Sequence, residues 1–126
     1  MLYYLTLGTN DLAAARRFYH PTLATLGLVA LVEADGECGY GQPGDASPGL
    51  YVVKPFDGQP ATRGNGTMVA LTAPTRAAVV AFHTTALAHG GTDEGEPRLR
   101  YSENFYACYV RDPDGNKLSA VCIKPE

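Results

Sequence analysis

The stretch of sequence that decides the fold occurs twice. Residues 4–27 read YLTLGTNDLAAARRFYHPTLATLG, and residues 68–91 read MVALTAPTRAAVVAFHTTALAHGG. Aligned without a gap, seven of 24 positions are identical, and the abundance of alanine accounts for some of them. Each copy begins with a short alternating strand, continues through a polar turn and then shows the apolar spacing of a helix. A repeat of this kind predicts a fold made of two similar halves.

The polar turns carry the chemistry that starts a helix. Thr9-Asn10-Asp11 in the first copy and Thr72-Ala73-Pro74-Thr75 in the second can satisfy the free N–H groups of a first helical turn. Pro21 lies inside the first helical pattern and cannot donate a hydrogen bond to the carbonyl of Arg17. We therefore expect a kink or an early break in that helix.

After each helix the pattern changes to short strands separated by Gly, Pro, Asp and Asn. The predicted strands span about 28–34, 37–42 and 49–55 in the first half, and about 97–101, 105–111 and 117–123 in the second. Each half is therefore one strand, one helix and three strands. The 126 residues predict a single α+β domain of two tandem βαβββ modules, with module 1 at about 1–55, a linker at 56–66 and module 2 at about 67–126.

Two βαβββ modules have helices for only one face of their sheets. We expect the other faces to curl into a cup, with the helices on the outside. Apolar Leu5 and Leu7 should pack on the helices, so their alternating neighbours should face the cup, and the same parity applies to the second copy and to the last strand. Residues with this cup-facing parity are Tyr4, Thr6, Met68, Ala70, Thr72, Ser119 and Val121.

The chain contains eight tyrosines and no tryptophan, and several of these tyrosines fall on or beside the predicted strands. A cup lined by phenol rings suits a small aromatic or polar organic ligand, although the same rings can instead fill the core. Cys108 lies on a predicted strand near the cup and could act as a nucleophile only if a neighbouring base lowered its pKa. The predicted cup lining is Tyr4, Thr6, Tyr51, Met68, Ala70, Tyr101, Tyr106, Cys108, Ser119 and Val121.

Composition excludes several classes of partner. A net charge of −3 without a basic block argues against nucleic acid. There is no apolar run of roughly 18 residues and no basic leader, so we expect no membrane association and a cytoplasmic location. Cys38, Cys108 and Cys122 are odd in number and form no CxxC motif, which predicts reduced thiols rather than disulfides or a thiolate zinc site.

The chain resembles the vicinal oxygen chelate superfamily, which includes glyoxalase I, bleomycin-resistance proteins and extradiol dioxygenases. The resemblance rests on the paired βαβββ repeat, on Asn10-Asp11-Leu12 followed by Phe18-Tyr19, and on the ending Val110-Arg111-Asp112-Pro113-Asp114-Gly115-Asn116-Lys117-Leu118. Without the repeat, the Asp-Pro-Asp-Gly segment would indicate only a favourable turn. With the repeat, the resemblance covers nearly the whole chain and implies the two-module cup.

The resemblance also implies a divalent metal site, held by His or Gln on the first strand of each module and by Glu on each last strand. The matching positions in this chain are Tyr4, Met68 and Ser119, and the strand at 50–54 contains no carboxylate. A phenol, a thioether and a hydroxyl are poor ligands for such an ion, which prefers imidazole and carboxylate. We therefore predict no catalytic metal and no cofactor at this position.

The three histidines offer no obvious replacement ligand set. His83 and His89 are six residues apart on one helix, about 240° around its axis, so they should not chelate one ion together. We interpret His83 and His89 as surface residues. We interpret Asp112 and Asp114 as residues that cap the turn in which they lie. His20, beside Pro21, remains a minor functional candidate.

The preferred hypothesis is a metal-free protein that binds a small organic molecule, similar to the proteins that confer bleomycin resistance. The alternative is an enzyme, either a metal-dependent lyase, isomerase or dioxygenase that uses other ligands, or a metal-independent catalyst that uses Tyr or Cys108. A structural or interaction module would be favoured if side chains filled the cup. We expect a homodimer because exposed sheet edges favour pairing, and the linker permits a cup within one chain or between two.

Overall fold

The computed structural model describes residues 1–125, so Glu126, the last residue of the predicted module 2, lies outside it. Both modules have the expected order of one strand, one helix and three strands. The first consists of β1 (Leu5–Gly8), α1 (Leu12–Ala24), β2 (Val29–Glu33), β3 (Glu37–Gly41) and β4 (Leu50–Val53). The second consists of β5 (Met68–Thr72), α2 (Arg76–Ala88), β6 (Thr92–Leu99), β7 (Tyr106–Arg111) and β8 (Lys117–Cys122).

The two modules have the same sheet topology. The first sheet has the strand order β1-β4-β3-β2 and the second has the order β5-β8-β7-β6. In each sheet the first strand runs parallel to the last, and the other pairs are antiparallel. This common topology confirms the α+β fold of two βαβββ modules.

Both helices begin where the turn chemistry predicts. Asp11 Oδ1 accepts a hydrogen bond from the backbone N–H of Ala14 at 3.0 Å, and Thr75 Oγ1 accepts one from the N–H of Ala78 at 3.0 Å. Each side chain satisfies one of the N–H groups that have no partner within the helix. The two copies therefore start their helices by the same mechanism with different residues.

The early break offered for α1 and the predicted start of β6 were wrong. α1 continues through Pro21 to Ala24 instead of breaking. Arg17, whose carbonyl loses its partner, is exposed, so water can take the place of the missing donor. β6 begins at Thr92 rather than near 97, because irregularities in its register with β7 accommodate Gly95 and the following residues.

The core lies between the helices and one face of each sheet. Phe18, Leu23, Val79 and Phe82 are fully buried on the two helices, which pack against each other. Gly91, which follows α2, lets the chain pass close to Phe18 on α1, because a Cβ at position 91 would lie 2.8 Å from the Phe18 ring. The helices thus join the modules, and no strand of one sheet pairs with a strand of the other within residues 1–125.

The Asp-Pro-Asp-Gly turn is a second junction between the modules. Asp112 Oδ1 accepts from the backbone N–H groups of Asp114 and Asn116, and its Oδ2 accepts from Tyr19 on α1 at 2.5 Å. The Asn116 amide donates to the carbonyl of Gly8 at 3.0 Å. Turn capping is thus the role of Asp112, as expected, and the same carboxylate also ties the turn to module 1.

Candidate functional site

The face of the first sheet that is turned away from α1 is open, and we call it the first open face. Thr6 and Tyr51 are register partners on β1 and β4, and Tyr4 precedes them at the strand end. The rings of Tyr4 and Tyr51 meet edge to face, with centroids 5.3 Å apart. Gly39 lies beside them, and its missing side chain leaves room for the Tyr51 ring, since a Cβ would approach it to 2.9 Å. Tyr4, Thr6 and Tyr51, all named in the predicted lining, therefore share this face.

A cavity of about 830 Å³ extends from this face. Its lining comes entirely from residues 4–56. It combines the Tyr4 and Phe56 rings with one cation, Lys54, and two carboxylates, Asp35 and Glu37. A site with flat apolar surface and both charge signs can hold a small aromatic molecule that carries polar groups.

Sequence reasoning missed Glu37 and Lys54. The search for a carboxylate was confined to the strand at 50–54, whereas Glu37 lies on β3 as the register partner of Val53. Lys54 follows β4 directly and is exposed. The pairing of β3 with β4 is the signal that would have found Glu37, and it becomes visible only once the register is known.

The corresponding face of the second sheet, which we call the second open face, carries the other predicted residues. Ala70 on β5 pairs with Ser119 on β8, and Thr72 pairs with Val121. Met68 is 43% exposed at the start of β5. The Ser119 hydroxyl is buried and has no hydrogen-bond partner among the residues that the structure describes.

Tyr109 is the centre of a basic cluster on the second open face. It is the register partner of Ser119, and its ring lies 4.9 Å from the Arg100 guanidinium carbon and 5.4 Å from the Lys117 ammonium nitrogen. Burial, followed by the hydrogen bond and charge of Tyr101, raises the pKa of Tyr109. The cluster places positive charge beside an aromatic face, an arrangement that suits an anionic group.

Three members of the predicted lining are placed elsewhere. Cys108 and Tyr106 face α2, because they share the register face of Ala120 and Cys122. The Cys108 thiol donates to the carbonyl of Val79 at 3.7 Å, and burial raises its pKa to about 11, so it is no activated nucleophile. Tyr101 is 89% exposed in the loop between β6 and β7.

The residues at the expected metal positions do not form one ligand set in this chain. Tyr4 lies beside the first sheet, whereas Met68 and Ser119 lie on the second. Their donors are a phenol, a thioether and a hydroxyl, none of which neutralises a divalent ion as carboxylates do. This donor set does not fit the metal that the resemblance implies.

The histidines are held separately. His83 Nε2 contacts Asp93 Oδ1 at 2.8 Å, and His89 Nδ1 contacts the carbonyl of Thr85 at 2.8 Å, so these two do not act as a pair. His20 instead lies on the helix-facing side of the first sheet. Its Nε2 is 3.0 Å from Glu33 Oε1, and Cys38 is close to both.

The fold and its two open faces define a class of two-module α+β proteins. The chain belongs to the Glyoxalase/Bleomycin resistance protein/Dioxygenase superfamily, whose family model matches residues 2–119. A glyoxalase/bleomycin resistance protein from Albidiferax ferrireducens T118 is 36% identical, with a TM-score of 0.83 and 94% of each chain covered.

More distant solved structures share the fold. A glyoxalase-related enzyme from Fulvimarina pelagi is 20% identical with a TM-score of 0.75, covering 96% of this chain and 86% of its own. A glyoxalase/bleomycin resistance protein/dioxygenase family enzyme from Burkholderia phytofirmans PsJN is 18% identical with a TM-score of 0.73, and 98% of each chain is covered. No curated protein matches the chain. Neither α1 nor α2 is long and apolar enough to cross a bilayer, and the described residues contain no other such helix.

Proposed function

We propose that this protein binds a small organic molecule and does so without a metal ion at the positions of Tyr4, Met68 and Ser119. The observation that carries the proposal is the cavity of about 830 Å³ on the first open face, lined by aromatic rings, Lys54, Asp35 and Glu37. Volumes of this size suit drug-sized ligands. The side chains at the expected metal positions are a phenol, a thioether and a hydroxyl, which carry no charge to balance a cation.

The ligand class follows from the lining. Tyr4 and Phe56 offer apolar ring faces, and Lys54 attracts an anionic group. Asp35 and Glu37 attract cationic or hydrogen-bond-donating groups. A polar aromatic molecule with groups of both kinds would use all five residues. Sequestration of such a molecule in the cytoplasm is the activity that we propose, and the 36% identical protein from Albidiferax ferrireducens is named a glyoxalase/bleomycin resistance protein.

We further propose that the working unit is a homodimer. The first open face carries Tyr4, Thr6 and Tyr51, whereas Ser119 and Tyr109 lie on the second, and the two sheets share no strand pairing within the described chain. A second copy would let the first open face of one chain meet the second open face of the other. The ligand would then lie between the Lys54 side of one copy and the Tyr109 cluster of the other.

Isothermal titration calorimetry in the presence of EDTA tests the binding proposal. The probes are metal-free bleomycin and a panel of small aromatic acids and amines. At least one probe should bind, and Thr6→Trp, which fills the first open face, should weaken that binding at least tenfold. Thr84→Trp is the matched control, because Thr84 is exposed on α2 away from this face, and it should bind as the parent does.

Three results would contradict the proposal. The first is no binding by the whole panel, the second is binding that EDTA abolishes and a divalent metal restores, and the third is binding that Thr6→Trp leaves unchanged. Sedimentation equilibrium tests the dimer separately. A monomer at micromolar concentration, with ligand present, would reject it.

The alternative function is a metal-dependent lyase, isomerase or dioxygenase that uses other ligands. The grouping of His20, Glu33 and Cys38 is the observation that favours it. These residues face α1, on the opposite side of the first sheet from the cavity, so an ion there would not contact a ligand on the first open face. Turnover that depends on both a metal and His20 would favour this alternative.

A further inference from the structure

Three potential metal ligands meet at the end of the β2–β3 hairpin. Glu33 on β2 and Cys38 on β3 are cross-strand register partners, which places their side chains on the same face of the sheet. His20, on α1, lies over this pair. One ring nitrogen of His20, the Cys38 sulfur and a Glu33 carboxylate oxygen all lie within 4.8 Å of one another.

This spacing is close to that of a metal centre. With ligand bonds of about 2.0–2.3 Å, the donors of a tetrahedral zinc ion stand roughly 3.3–3.8 Å apart. His20 Nε2 and Glu33 Oε1 are already 3.0 Å apart. The His20 and Glu33 donors are thus already within ligand spacing, and side-chain rotation has to bring the Cys38 sulfur from within 4.8 Å to that spacing.

We propose that His20, Glu33 and Cys38 bind one Zn²⁺ ion, with a fourth coordination position left to water. Imidazole, carboxylate and thiolate are the donors that zinc uses in proteins. Binding releases the Cys38 proton to solvent, and the thiolate and carboxylate together balance the two positive charges of the ion. The site is independent of the proposed ligand cavity, because its residues face α1.

The surroundings give the ion both a route of entry and support. The side chains of His20 and Glu33 are 38% and 53% exposed, whereas Cys38 is fully buried beneath them. The hydroxyl of Tyr40 lies 2.9 Å from His20 Nδ1 and also contacts Cys38. Tyr40 thus links two of the three ligands from behind, a supporting role that is common around metal-bound histidines.

One neighbouring charge opposes a cation. The Arg16 Nε atom lies 3.9 Å from Glu33 Oε1, and its guanidinium donates to the carbonyl of Ala34. Replacing Arg16 by Met removes this positive charge and keeps most of the apolar length. The proposal therefore predicts one variant with higher affinity. Arg16→Met should bind the ion several-fold more tightly than the parent at low ionic strength.

Cobalt titration of the chelator-stripped, full-length chain under anaerobic conditions tests the site. Co²⁺ in place of Zn²⁺ reports a thiolate ligand by a charge-transfer band and a tetrahedral site by intense d–d bands. We expect one equivalent of Co²⁺ to bind with both signatures and one equivalent of Zn²⁺ to displace it. Cys38→Ser should abolish the thiolate band, and His20→Gln should weaken binding at least tenfold.

Matched controls use residues of the same type outside the site. Cys108→Ser and His83→Gln should leave the titration unchanged, because Cys108 packs on α2 and His83 contacts Asp93. No thiolate band, a band that persists in Cys38→Ser, or equal loss in the control variants would overturn the proposal. Circular dichroism checks that each variant is folded. If Cys38→Ser does not fold, His20→Gln and Arg16→Met still decide, since unchanged affinity in both overturns the site.

Discussion

At the scale of single residues, burial decides the chemistry of side chains whose type alone suggests activity. Cys108 is fully buried against α2, and burial raises its pKa to about 11. A thiol in that state is neutral at physiological pH and inaccessible to alkylating reagents. The same residue type at the surface of a cup would have been a candidate nucleophile.

Cys108 should therefore resist alkylation in the native protein. We expect iodoacetamide at pH 7.5 to leave it unmodified over hours, and peptide mapping by mass spectrometry measures the extent of labelling. The same treatment in guanidinium chloride is the control and should label Cys108 readily. Rapid labelling of the native chain would show that the thiol is accessible.

Tyr19 is the residue that connects α1 to the Asp-Pro-Asp-Gly turn. Tyr19→Phe removes the hydroxyl that donates to Asp112 Oδ2, leaving a buried carboxylate with one donor fewer. We expect the free energy of unfolding to fall by about 1–3 kcal/mol, measured by urea denaturation. Tyr3→Phe is the control, because Tyr3 is 77% exposed, and it should change stability by less than about 0.5 kcal/mol. Equal effects of the two variants would contradict the role of Tyr19.

At the scale of elements, the two helices depend on their caps and on tertiary packing. Each helix has only 13 residues, which is marginal for a helix without tertiary support. The caps at Asp11 and Thr75 and the packing of α1 on α2 provide that support. Loss of a cap should therefore be measurable in the stability of the whole protein.

Thr75→Ala tests this contribution on α2. It removes the hydroxyl that accepts from the Ala78 N–H, and we expect a loss of about 0.5–2 kcal/mol in thermal or urea unfolding. Thr84→Ala, at an exposed position within the same helix, is the matched control. Because alanine has the higher helix propensity, Thr84→Ala should leave stability unchanged or raise it slightly.

The contact between α2 and β6 has a pH dependence of its own. The hydrogen bond from His83, and then that from the Gly95 N–H, lowers the pKa of Asp93. A lowered pKa means that the stabilisation is complete above the pKa of the unfolded chain and is lost as pH falls through the folded pKa. Asp93→Asn should remove this part of the acid dependence, which urea denaturation between about pH 2 and 7 measures. Identical pH profiles for parent and variant would exclude the contribution.

At the scale of the whole molecule, the modules are joined by contacts between helices and by a turn, whereas each sheet is complete by itself. Phe18 packs next to Gly91, Asp112 accepts a hydrogen bond from Tyr19 on α1, and Asn116 donates one to Gly8 at the end of β1. These contacts bury apolar surface from both modules in one core. The modules should therefore depend on each other for stability.

This arrangement predicts cooperative unfolding. Urea transitions followed by far-ultraviolet circular dichroism and by tyrosine fluorescence should coincide, because neither module keeps its core without the other. In Tyr19→Phe the common transition should shift to lower urea without splitting. Two separate transitions in the parent protein would show that the modules are independent.

Local patterns were sufficient for much of the fold. Two kinds of signal depend only on residues close together in the sequence, and the sequence alone therefore predicts them. They are the helix caps at Asp11 and Thr75 and the alternation of Leu5, Thr6 and Leu7. The extent of α1 beyond Pro21 and the early start of β6 were missed, because solvent and strand pairing compensate for residues that are locally unfavourable.

The sequence by itself determined that this chain is a duplicated βαβββ protein, because hydrophobic periodicity and capping are encoded over a few residues at a time. Only the tertiary structure decided that Cys108 faces a helix, that Glu37 joins the cavity and that His20 meets Glu33 and Cys38. Those placements depend on strand register and on the packing of α1. Register and packing arise from the sum of many contacts between distant residues, and no local pattern specifies them.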